Sequence, residues 1–321
     1  MIIPESQVIT LPENKQQSTE FLGSNTEEVT LEHLINDTIT PVFAKDGEIA
    51  VSHSKFIESM QKAILNIFPD YRADQPVVRV SHIIKGRIAS SINKPANELL
   101  ETDKTIWYER CAFIIKIPGI TQIVNGNELT LTVGGVRAFN KENLYSKKSI
   151  EQFSVFIGFI NKICTNLCIS SDGYKDEFRV TNVLELQDRM EMLFDNYSYE
   201  KYLGNMERFS KFELSQEQFA HLIGKMKLYH HLENSKKNRL HPIGFSETQI
   251  NAITKNYYKD KNFKAENNGS INLWKLYNIM TDSVKSSYID SFLNRNCQAY
   301  EFIQMLTNSL QNESPNFYLT T

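Results

Sequence analysis

Read as a pattern of apolar and polar positions, the chain changes period part-way along. Phe56, Ile57, Met60, Ile64, Leu65 and Phe68 recur at helical spacing behind Ser52 or Ser54, either of which suits an N-cap, and Pro69 ends the run. A shorter helix is expected at 29–35, with an extended connector at Pro41-Val42-Phe43. From Pro76 the period falls to two. Val78, Val80 and His82 form one row and Val77, Arg79 and Ser81 the other, until Lys85-Gly86-Arg87 interrupts. Residues 107–117 contain the continuous run Cys111-Ala-Phe-Ile-Ile of a strand buried on both faces. Pro118-Gly119 predicts a turn, 120–124 a return strand and Asn125-Gly126 a tight hairpin. Residues 128–133 alternate, Gly134-Gly135 marks a bulge or a close backbone approach, and 136–139 continue the strand. After a polar loop at 140–149, residues 153–159 form a buried strand, with a helix over 150–163 as the alternative for so short an apolar run. Residues 168–171, an Asp172-Gly173 turn and 177–180 complete a hairpin.

Beyond Thr181 the spacing returns to about 3.6. Val183, Leu184, Leu186, Met190, Leu193 and Phe194 mark a helix, and Ser215…Gln218 and Ser246…Gln249 are capping boxes that open two more. Further helices follow around Trp274–Met280 and Phe292–Leu310. The expected fold is α+β: a mixed or antiparallel sheet in the first half, packed by helices, with a largely helical C-terminal half. Residues 1–28 read as an acidic leader, flexible or loosely docked, 29–182 as the sheet region and 183–321 as a helical region on the same continuous body.

Composition fits that picture. Apolar residues make up 41% and charged residues 23% of the 321, enough for a large core. No apolar run nears the roughly 18 residues that span a membrane, and the first residues lack the basic and apolar regions of a signal peptide. Cys111, Cys164, Cys168 and Cys297 then read as reduced thiols of a cytoplasmic protein with no membrane partner. Charge adds an asymmetry: the first 50 residues hold nine acids and two lysines, so their −7 leaves +4 on the rest of a chain whose net charge is −3. The stretch 75–97 contains no acid, while Arg79, Lys85, Arg87 and Lys94 fall within it.

Known chemistry finds little purchase. Val136-Arg137 follows the glycine pair where a phosphate loop needs Lys-Ser or Lys-Thr, and no G-x-G-x-x-G occurs. Cys164 and Cys168 lack the second ligand pair of a zinc site, and His221, His230 and His231 point in different directions on one helix, so no metal and no cofactor is expected. No strained elbow selects a nucleophile for His53, His82 or His241, and Asp172 reads as a turn former. What remains is a basic surface. Arg79, His82, Lys85 and Arg87, with Arg137, Asn140 and Tyr145, are candidates to track a phosphate backbone and stack on bases.

The runs RVSHIIKGRI, WYERCAFIIKIP, LTVGGVRAFNKENLY, FSVFIGFINKICTNLCISSDG and LWKLYNIMTDSVKSSYIDSFL together resemble an uncharacterised bacterial family, domain of unknown function 3871. The resemblance spans about residues 50–320 and leaves the acidic leader outside. More distantly, the chain looks like phage- and plasmid-associated proteins in which a Cys-Thr-Asn step, here Cys164-Thr165-Asn166, precedes a Trp-x-x-Tyr-Asn helix, here Trp274 to Asn278. The resemblance implies a bacterial mobile element and a cytoplasmic setting. It brings no activity, and it makes Asn166 and Asn278 candidates by association alone. Two readings stand: a non-enzymatic protein associated with nucleic acid, or a module that binds a host or element-encoded protein, such as an inhibitor of a host defence enzyme. An enzyme would require RVSH, VGGVRAFN and CTN to converge on one cleft.

Overall fold

Strand-forming residues in the first half build one antiparallel sheet. In the computed structural model, residues 20–23, 25–38, 51–91, 93–140, 142 and 150–319 are described. The elements run β1 (Thr26–Val29), α1 (Leu31–Asn36), α2 (His53–Ile67), β2 (Val77–Ser81), β3 (Ile84–Arg87), β4 (Lys104–Tyr108), β5 (Cys111–Val124), β6 (Asn127–Arg137), β7 (Glu151–Asn161), β8 (Leu167–Cys168) and β9 (Tyr174–Val180). The sheet order is β1-β2-β5-β6-β7, with β8 and β9 both pairing with β7, while β3 and β4 form a separate two-stranded ribbon. Every pairing is antiparallel. Asn125 and Gly126 have φ of 49° and 78°, the left-handed pair that a two-residue hairpin requires between β5 and β6.

Several local expectations are corrected. Lys85-Gly86-Arg87 does not break a strand; it lies in β3, and the break falls at His82-Ile83. Pro118-Gly119 is no turn. The fourteen-residue β5 runs through it, with its register shifting between Lys116 and Thr121, and a Cβ on Gly119 would stand 2.6 Å from the Tyr71 ring. Gly134-Gly135 is a close approach and not a bulge, because β6 stays in register with both neighbours there. A Cβ on Gly134 would meet the Phe113 carbonyl at 2.2 Å, and one on Gly135 the Phe56 ring at 2.4 Å. Residues 151–161 are the strand β7, so the helical alternative falls. The Asp172-Gly173 step joins no hairpin either: β8 and β9 both lie along β7, so one edge is interrupted by a short 3₁₀ turn. The last residues of the expected leader are docked, with Phe21 and Leu22 buried and β1 paired to β2.

Helices dominate the rest: α3 (Val183–Asp195), α4 (Tyr199–Phe209), α5 (Gln216–His231), α6 (Asn234–Lys237), α7 (Glu247–Lys259), α8 (Leu273–Val284) and α9 (Phe292–Gln311), with the small pair β10 (Glu213–Leu214) and β11 (Ile271–Asn272). Ser52, Ser215 and Ser246 cap α2, α5 and α7, the last two within the expected boxes. Helix α4 was not expected from the sequence, although its buried stripe of Tyr202, Leu203, Met206 and Phe209 lies at helical spacing. Helix α2 lies on the sheet, where the Phe56 ring packs edge-on against Phe113 at 4.9 Å and Phe153 at 4.7 Å. No described helix is long and apolar enough to cross a membrane.

Candidate functional site

The residues singled out in sequence fall into three separate places. Arg137, the last residue of β6, is 1% exposed. Its guanidinium lies between the rings of Phe139 and Phe153, 4.5 and 4.4 Å from their centroids. Nη2 donates to Glu151 Oε2 at 2.9 Å and Nη1 to the Val51 carbonyl. Glu142 stands 3.5 Å from Nε, which makes no hydrogen bond, and accepts instead from the Gln152 N–H at 3.1 Å. Phe139 reaches its place over the guanidinium at φ 59°, a left-handed conformation that costs a non-glycine residue about 1 kcal/mol.

His53 opens α2 beside this cluster, fully buried, and its Nε2–H donates to the Glu109 carbonyl at 2.9 Å. Burial first, and the nearby Arg137 charge second, push its pKa down to about 3, so the ring is neutral. Its Nδ1 is buried without a partner. Burial likewise raises the Glu151 carboxyl, against the pull of Arg137 and of the Val51 N–H. Sequence reasoning passed over Glu151 and Glu142. Glu151 had a signal: it is the single acid in the apolar run 150–161, and a charge there needs a buried partner.

Arg79 sits elsewhere. It pairs with Ala112 on β5 while Arg137 pairs with the adjacent Cys111, so the two arginines face opposite sides of the sheet. Arg79 is 4% exposed, and it donates to the Thr26 hydroxyl and carbonyl, both at 2.9 Å. Glu20 and Glu28 stand 3.7 and 3.9 Å away, so the end of the acidic segment is what covers it. His82 and Lys85 are exposed near the β3–β4 ribbon. Arg87 donates to the Lys94 carbonyl, and Lys94 pairs with Asp103 at 2.9 Å. Hydrogen bonds from Ser91, Lys94 and the Leu100 N–H hold the Asp103 carboxyl down at about 2. The acid-free stretch is therefore met in space by acids that follow it in sequence. Asn140 donates to Asp290 at 3.2 Å, which also takes Arg110 at 3.1 Å. Tyr145 lies outside the described residues, as do Lys141, Lys147 and Lys148.

The third place joins the Cys-Thr-Asn step to the Trp-x-x-Tyr-Asn helix. Asn166 Nδ2 donates to the Asn278 carbonyl at 2.8 Å, and Asn161 Nδ2 to Asn278 Oδ1 at 3.0 Å. Asn278 in turn donates to the Trp274 carbonyl, and the Trp274 indole N–H to Asn127 at 2.7 Å. Asn161, Asn166 and Asn278 are each at most 1% exposed. Nearby, Lys285 donates to the Cys164 carbonyl, and the Thr165 hydroxyl to the Glu20 carbonyl at 3.2 Å. Turn, helix and docked leader are thus tied at one point.

Burial raises all four thiols, Cys164 and Cys297 to about 12, so none is a thiolate at neutral pH. Among the described residues no group of three or more His, Cys, Asp or Glu side chains is arranged to hold a metal. No curated protein and no solved structure matches the chain. A family does match, over residues 2–319, and so takes in the acidic leader that the motifs alone left out. The chain belongs to that family, described as "Domain of unknown function, B. Theta Gene description (DUF3871)".

Proposed function

We propose that the protein works by binding, without catalysis, and that its partner is another protein engaged by the β3–β4 ribbon. The observation that carries this is the fate of the polar candidates. Arg79, Arg137 and Asn166 are buried, lie in three places and are engaged within the chain, so the motifs that would have had to share one cleft do not meet in one. The same fate weighs against a phosphate-tracking surface, which needs its arginines at the surface.

The ribbon has the properties of a contact region. Its two strands pair only with each other among the described residues, and Tyr108 of β4 anchors them edge-on against Phe139 at 5.3 Å, so the ribbon stands beside the sheet without joining it. Exposed Ile83 and Leu100 flank its strands. Around it Lys94 pairs with Asp103 and Lys104 with Glu101, so both signs of charge are present and partly matched, a mixed region suited to protein and not to polyanion. A cytoplasmic, mobile-element setting, as the resemblance implies, fits a host or element-encoded partner.

Photo-crosslinking tests this. A photoreactive side chain at Leu100 is expected to give a discrete, nuclease-resistant protein adduct in cells, absent when the probe is at Leu228, an exposed position on α5. Equal adducts from both positions, or a nuclease-sensitive adduct, would overturn it.

A further inference from the structure

The outer edge of β9 carries a second binding feature, independent of the ribbon. Strand β9 pairs with β7 and with no other strand among the described residues, so its outward N–H and C=O groups face away from the sheet. Helix α3 follows it and packs beside α2, where Asn66 donates to Glu191 at 2.7 Å. Between β9 and α3 lies an open cleft of about 390 Å³, within the range of ligand sites. Phe178 and Leu193 are its buried apolar lining, and Met192, 64% exposed, stands at its lip.

A bulge sets the cleft's charge. Phe153 and Val155 are two apart on β7 and share a face, yet their partners on β9, Phe178 and Lys175, are three apart. The extra residue rotates Lys175 onto the face of Phe178, toward α3, the kind of re-aiming that edge bulges perform. The other charged residues around the cleft are matched within the chain: Asp172 with Lys201 at 3.5 Å, Glu177 with Arg179 at 2.9 Å and Arg189 with Glu185 at 2.7 Å. Lys175 has no partner among the described residues.

We infer that this cleft takes an extended peptide segment of a partner protein, added as a strand to β9. An acidic residue of that segment meets Lys175, and an apolar residue two positions away enters against Phe178, Leu193 and Met192. Open strand edges recruit peptides through main-chain hydrogen bonds, while alternate side chains supply selectivity. Charged residues 175, 177 and 179 on β9 discourage pairing with a copy of the same strand and favour one of complementary pattern.

The test titrates the full chain, with 13C-labelled Met methyl groups, with the capped octapeptide Ser-Thr-Glu-Val-Ile-Val-Thr-Ser. The Met192 methyl resonance is expected to shift. The peptide with Pro at both Val positions, which cannot donate to the ladder, should leave it unmoved. Lys for Glu in the peptide should weaken binding about threefold to fivefold, and Lys175→Glu in the protein should restore it. Lys175 is exposed, so thermal unfolding of this variant should match the parent. No Met192 shift at millimolar peptide, equal binding of the Pro peptide, or indifference to Lys175→Glu would each overturn the inference.

Discussion

At the scale of single residues, Arg137 is the most consequential position. A buried guanidinium that neutralises Glu151 and stands beside Glu142 cannot be removed without leaving carboxylates uncompensated, which costs about 3–5 kcal/mol. Arg137→Met should lose that much stability in urea unfolding at neutral pH, whereas Glu142→Gln, facing an Nε that makes no hydrogen bond, should lose about 1 kcal/mol or less. His53 gives a pH dependence. Its pKa is about 3 in the folded chain against 6.5 when unfolded, so between those values the unfolded state binds the extra proton. Stability from this group is full above pH 6.5 and is lost as the pH falls toward 3, with a slope of at most about 1.4 kcal/mol per pH unit. Glu151, with its pKa raised, acts in the opposite sense: it favours the folded state at pH below 4.5 and ceases to as the pH rises through its folded value. Unfolding followed across pH 4–7 should show His53→Gln flattening the curve. Arginine in a strand reads as an exposed cation on pattern alone. Only Glu151, the single acid in the apolar run 150–161, hinted otherwise.

At the scale of elements, glycines separate positions that need closeness from those that do not. Gly134→Ala and Gly135→Ala place a Cβ against backbone and ring atoms at under 2.5 Å, and each should cost about 2 kcal/mol or more. Gly204→Ala in α4 and Gly224→Ala in α5 meet open space and should each add about 0.5–1 kcal/mol. Opposite signs in the melting temperatures of the two pairs would check this. Most elements were legible because period, caps and the Asn-Gly hairpin are local signals. The errors came where a distant partner decides: Tyr71 beside Gly119 kept β5 going through a Pro-Gly step, and β7 served as the common partner of β8 and β9. Sequence periodicity carries no information about either.

Across the whole molecule, the Asn161–Asn166–Asn278 network fastens the helical region to the sheet, and Glu20, Thr26 and Glu28 fasten over Arg79. The two Asn motifs that pointed to a site do meet, but as buried hydrogen bonds between elements. Asn278→Ala should cost about 2 kcal/mol by stranding the Asn161 amide, with sheet and helices still unfolding in one calorimetric transition. Arg79 and Arg137 are spent on the fold, and the binding role proposed above leaves no part for phosphate contacts. Gel shifts with single- and double-stranded DNA and RNA decide between this and a nucleic-acid role. No shift is expected even at low salt; a shift that fades as salt rises and weakens in Lys85→Glu would rule the protein-binding role out.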